Sequence, residues 1–94
     1  SYTKHIDLWG GDVVVKLNQA VSLRLHQLLE QKKMTAYQLF VASGVPKSTI
    51  SNVLKCAYDS VKLRIIHELC QGLGISLMEF FESDCFSEDQ LEAE

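Results

Sequence analysis

Lys47, Ser48, Ser51, Asn52 and Lys55 lie within the stretch "KSTISNVLK", at positions i, i+1, i+4, i+5 and i+8. On a helix, that spacing lines up five side chains along one stripe. All five carry hydrogen-bonding groups and none is bulky and apolar. Lysine donates to guanine O6 and N7, asparagine pairs with adenine N6 and N7, and serine donates or accepts with little base preference. The major groove of duplex DNA admits one α-helix, so the stripe suits contact with base edges. Helix amino termini at Thr35 and Lys47 would add backbone N–H groups where phosphates bind. A merely solvated helix face carries the same residue types, and the stripe alone leaves both readings open.

A helix of about nine residues does not persist alone in water, so the stripe needs a scaffold. The chain has 94 residues, 47% hydrophobic and 22% charged, which is one small globular domain with a single core. From residue 18 the apolar positions Val21, Leu25, Leu28 and Leu29 recur at helical spacing. Asn18 is the expected N-cap of this first helix, and Lys32 and Lys33 suit the negative end of its dipole. Thr35 and Gln38 fit a capping box for a second helix, and Gly44 supplies its left-handed stop. Leu39, Phe40 and either Ala42 or Ser43 are its inward residues. Pro46 preorganises a third helix whose apolar positions are Ile50, Val53 and Leu54.

The loop "CAYDS" precedes a fourth helix expected over residues 61–72, facing inward through Ile65, Ile66, Leu69, Cys70 and Leu73 and closing at Gly74. Ser76 and Glu79 form a second capping box ahead of "LMEFF", with Phe80 and Phe81 as core residues. At the amino end, Gly10 and Gly11 separate "IDLW" from "DVVV", which reads as two short extended stretches about a turn. The carboxyl end, "DCFSEDQLEAE", is acidic and expected to be mostly frayed, apart from a contact by Phe86 or Leu91.

The net charge of −3 at first argues against a nucleic-acid partner. Its distribution weakens that objection. Residues 18–82 hold seven Lys/Arg against five Asp/Glu, whereas residues 83–94 hold five acids and no base. What repels phosphate is the local field rather than the whole-chain sum. Cys56, Cys70 and Cys85 form no C-x-x-C pair and the three histidines have no ligand spacing, so no metal or other cofactor is expected. No apolar stretch approaches the roughly 20 residues of a membrane span, and the amino end lacks a signal-peptide layout. A cytoplasmic location is therefore expected, with no membrane partner. No Gly-rich phosphate loop or nucleophile elbow is present, so the chain does not read as an enzyme.

Three pieces, "RLHQLLEQKKMT", "QLFVASGVPKSTISNVLK" and "VKLRIIHELCQGLGISLMEFF", together resemble the Cro- and lambda-repressor-type helix-turn-helix family, also called the xenobiotic-response-element family. The resemblance covers residues 25–81. It implies an all-α, compact five-helix lambda-repressor-like DNA-binding domain over residues 17–82. A short extended or hairpin segment precedes it at 1–16, and an acidic tail follows at 83–94. It further implies a transcriptional regulator, a repressor, that inserts the helix at 46–55 into the major groove of double-stranded DNA as a homodimer. No small-molecule ligand is expected.

Carried over position by position, Lys47, Ser48, Ser51 and Asn52 would read base edges, and Thr35, Thr49 and Lys55 would contact phosphates. Three positions depart from the family pattern. Ala36 stands where a phosphate-contacting glutamine is common, Phe40 where a small residue is usual, and Cys56 where a glycine ends the third helix. The alternative is a protein-interaction module, of antitoxin or anti-repressor kind, that keeps the fold without binding DNA. The acidic tail and Ala36 favour that alternative.

Overall fold

In the computed structural model of the chain, which describes residues 15–91, five α-helices follow one another: α1 (Leu17–Lys32), α2 (Ala36–Ser43), α3 (Lys47–Leu54), α4 (Leu63–Leu73) and α5 (Leu77–Phe81). A single 3-10 turn, Asp84–Phe86, ends the succession. The fold is all-α, as the sequence predicts. The hairpin expected around Gly10 and Gly11 lies outside the described residues. Val15, the first described residue, forms an isolated parallel bridge with Leu91.

Local chemistry sets most helix ends. Thr35 Oγ1 accepts from the Gln38 N–H (3.1 Å) while Gln38 Oε1 accepts from the Thr35 N–H (2.8 Å), the reciprocal box expected at the start of α2. Ser76 Oγ accepts from the Glu79 N–H (3.1 Å) and opens α5 with the forward half of the expected box. Gly44 (φ 76) and Gly74 (φ 74) both take the left-handed conformation that stops α2 and α4. Two ends differ from expectation. Helix α1 is capped by Lys16, whose N–H donates to Gln19 Oε1 (2.8 Å), because the Asn18 side chain is engaged elsewhere. Helix α4 starts at Leu63, two residues beyond the expected position.

The core forms where the apolar stripes meet. Val21, Leu25, Leu28 and Leu29 of α1 are buried against Leu39 of α2, Ile50 and Val53 of α3, and Ile66, Leu69, Cys70 and Leu73 of α4. Each such side chain contributes about 1.5–3 kcal/mol on burial. Burial also pushes the Cys70 thiol up from its ordinary pKa, so it stays neutral. Helices α2 and α4 approach closely at Gly72, where an added Cβ would lie 2.5 Å from Ser43 Cβ.

Arg24 is a buried charge that the sequence reading did not single out. Its Nε donates to the Phe80 carbonyl (2.6 Å) and its Nη2 to the Glu79 carbonyl (2.7 Å). The Phe80 carbonyl lies in the last turn of a five-residue helix, where no further turn satisfies it, and the Glu79 carbonyl accepts in addition from the Glu82 N–H (3.3 Å). The guanidinium therefore caps α5 from α1.

The acidic end is packed, not frayed, as far as residue 91. Phe80, Phe81 and Phe86 form a cluster of rings, with the Phe81 and Phe86 centroids 4.8 Å apart. Cys85 and Gln90 are buried, and the Val15 N–H donates to the Gln90 carbonyl (2.9 Å). The carboxylates do not mark a solvated tail. They sit on the outside of a segment whose phenylalanine and cysteine face inward.

Candidate nucleic-acid interface

Helices α2 and α3 are joined through Gly44, Val45 and Pro46. Val45 is buried and its N–H donates to Ser43 Oγ (3.1 Å), so the turn is anchored by both its side chain and its backbone. With Leu39, Ile50 and Val53 also buried, the rotation of α3 about its own axis is set. Its outward side is then decided by helical geometry.

The seven predicted contact residues fall as follows. Ser48 and Lys55 are exposed on the side of α3 opposite Ile50 and Val53, with Ser51 and Asn52 half-buried beside them. Lys47 is exposed on the flank toward α2, with its ammonium 5.4 Å from the centroid of the Tyr37 ring. Thr49 is half-buried on the other flank, at a shallow groove of about 320 Å³ shared with Tyr58, Val61 and Lys62. Thr35 is exposed at the start of α2, two residues before Tyr37. Asn52 is not free-standing: its Nδ2 donates to the Tyr58 hydroxyl (3.1 Å).

A second stripe, on α1, holds the far end of α3. Asn18 Nδ2 donates to the Tyr58 carbonyl (2.7 Å) and Ser22 Oγ to the Leu54 carbonyl (2.9 Å). His26 Nε2 lies 3.0 Å from the same Leu54 carbonyl, placed to donate to it. These residues recur every four positions along α1, so one helical face supplies donors to carbonyls at the end of α3 and in the loop after it. The end itself is a Schellman turn: the Cys56 N–H donates to Val53 O (3.1 Å) and the Ala57 N–H to Asn52 O (2.8 Å). Cys56 occupies its left-handed position with φ 58, where the family pattern has glycine.

Sequence reasoning missed Tyr37, Tyr58 and the Asn18, Ser22 and His26 stripe. The available signals were polar residues spaced by four on the flank of an apolar stripe and an aromatic in the loop just past α3. Among the described residues no group of three or more His, Cys, Asp or Glu is arranged to hold a metal ion. No helix there is long and apolar enough to cross a membrane.

The family model for the Cro/C1-type HTH DNA-binding domain matches residues 24–85, well over half of the chain. The chain belongs to the Cro/C1-type helix-turn-helix family. Membership makes it a DNA-binding transcription regulator rather than an enzyme. The Cro/C1-type match begins at Arg24 and ends at Cys85, so it takes in the guanidinium cap of α5 as well as the paired helices and stops within the 3-10 turn.

Solved structures agree on the fold. Two point variants of the restriction-modification controller protein C.Esp1396I superpose with TM-scores of 0.66 and 0.65, each at 24% identity over 70% of this chain and 82% and 87% of theirs. Prophage Lp1 protein 11 superposes with a TM-score of 0.69 at 24% identity, over 80% of this chain and 99% of its own. No curated protein matches the chain in sequence.

Proposed function

We propose that this Cro/C1-type domain is a sequence-specific repressor that enters the major groove of double-stranded DNA with α3, as a homodimer, in the cytoplasm. The observation that carries the reading is the outward face of α3, where Ser48 and Lys55 are exposed on a helix held by buried residues behind it. Lys47, Ser48, Ser51 and Asn52 serve as base readers, and Thr35, Thr49 and Lys55 as phosphate contacts. Thr35 Oγ1 accepts from a backbone N–H, which leaves its O–H proton to donate to a phosphate oxygen. Asn52 Nδ2 carries two hydrogens, so the one given to Tyr58 leaves a donor beside the Oδ1 acceptor, the pair that adenine requires.

Two copies are needed on energetic grounds. Each good base contact discriminates by about 1–3 kcal/mol, too little for one half-site to select a target within a genome. A dimer with its two α3 helices about 34 Å apart, one DNA turn, doubles the readout on a near-palindromic site. Occupying that site blocks whatever else must bind it, so repression needs no further contact.

The test is selection of duplexes from a random pool, followed by affinity measurements on variants. Asn52→Ala should relax preference at one base pair per half-site, whereas Lys55→Ala should weaken every sequence alike. Lys55→Ala should also reduce the salt slope by about 0.9 for each copy that contacts a phosphate. Enrichment of no sequence over the starting pool would exclude specific recognition and leave the protein-interaction alternative.

A further inference from the structure

We propose that Tyr58 is a positioning residue for sequence recognition, its hydroxyl fixing the carboxamide of Asn52; this rests on the reading of α3 as the groove-entering helix. A carboxamide presents donor and acceptor in two orientations related by a half-turn, and its terminal torsion is broad and roughly two-fold. Only one of the two orientations places Oδ1 and an N–H where adenine N6 and N7 require them. On an otherwise open helix face the side chain would sample both, over several rotamers. Here Nδ2 donates to the Tyr58 hydroxyl at 3.1 Å, which holds the end of the side chain at one place on the face, with its nitrogen toward Tyr58.

Tyr58 is itself held at both ends. Its ring packs half-buried against the core, and its carbonyl accepts from Asn18 Nδ2 at 2.7 Å. The Ala57 N–H, one residue earlier, donates to the Asn52 carbonyl at 2.8 Å. The loop and the reader are therefore joined through backbone and side chain together. Asn18 connects this pair to α1, so the hydroxyl is a fixed point rather than a mobile tip. The arrangement orients the reader before DNA arrives, and the ordering cost is met in folding rather than in binding.

The test compares the full-length wild type with Tyr58→Phe, Asn52→Ala and the double variant. The probes are a duplex enriched by the wild type from a random pool and its single-base-pair substitutions. Tyr58→Phe keeps the ring and removes only the hydroxyl. It should reduce discrimination by roughly three- to tenfold, the worth of one neutral hydrogen bond. That loss should fall only at the base pair whose preference Asn52→Ala also relaxes. The salt slope should be unchanged, and the double variant should be no worse than Asn52→Ala alone.

Partial unfolding of a variant scales all its affinities together and leaves ratios between base pairs intact, so the readout survives a loss of stability. Unchanged discrimination in Tyr58→Phe would overturn the proposal, as would an Asn52→Ala that reads like the wild type. Equal weakening on every duplex would also overturn it, by making Tyr58 a direct phosphate contact. If the wild type enriches no duplex, the groove-entry reading fails first, which is a different result from a wild type that reads sequence beside a silent Tyr58→Phe.

Discussion

Replacing Gly72 with alanine should loosen the seam between α2 and α4. A Cβ at that position would meet Ser43 Cβ at 2.5 Å and Ser43 Cα and N at 2.9 Å, distances that real Cβ contacts essentially never show. Two of those three atoms are backbone, so no rotamer change relieves them, and the two helices must move apart. Overpacking of this kind costs about 1–3 kcal/mol, and the close backbone contacts place it near the upper end. Alanine recovers about 1 kcal/mol of helix propensity in return. The net loss is about 2 kcal/mol, against a total of about 5–15 kcal/mol for a small domain. At 4–8 °C per kcal/mol, the melting temperature should fall by about 10 °C. Urea unfolding followed by far-ultraviolet circular dichroism measures the change as a lower midpoint at constant slope. Gly74 is the internal control: nothing lies within 4 Å of its added Cβ, but its φ is 74. Gly74→Ala should therefore lose only about 1 kcal/mol, from left-handed strain alone. A Gly72→Ala protein as stable as the wild type, or less affected than Gly74→Ala, would refute the steric reasoning.

Two further substitutions probe single features. Cys56 holds φ 58 at the end of α3 with a half-exposed side chain, so Cys56→Gly removes about 1–2 kcal/mol of strain. Glycine's extra freedom when unfolded returns about 0.4–1 kcal/mol, which leaves a gain of about 0.5–1 kcal/mol by urea unfolding; a loss would show that the thiol packs usefully. Arg24→Met keeps the buried chain length but removes the donors to the Glu79 and Phe80 carbonyls. It should destabilise by about 2–4 kcal/mol in the same assay, whereas no change would mean that desolvating the guanidinium cancels its hydrogen bonds.

Features that depend on near neighbours were legible in the sequence. The Thr35 and Gln38 box, the left-handed Gly44 and Gly74, and the inward positions Leu25, Leu39, Ile50, Val53, Leu69 and Phe80 all follow from spacing and local chemistry. What escaped depends on distant partners. Asn18 has the residue type of an N-cap, yet its amide reaches Tyr58, 40 positions away, and the cap moves to Lys16. Arg24 reads as one more polar residue of α1 until α5 brings two carbonyls to it from 55 and 56 positions along the chain. The acidic end read as solvated because composition does not reveal that Cys85, Phe86 and Gln90 turn inward together. At the interface, side-chain types and helical spacing identified the α3 stripe. The hydroxyl that holds Asn52 lay in a loop whose path the spacing does not encode.

The most direct measurement is the affinity of the wild-type protein for duplex DNA across salt concentration. If two copies of α3 each set Lys55 against a phosphate of one duplex, log affinity should fall linearly with log salt with a slope of about −2. Affinity that does not change with salt, or no duplex retained at about 50 mM salt, where phosphate contacts are strong, would contradict an α3 face that meets DNA.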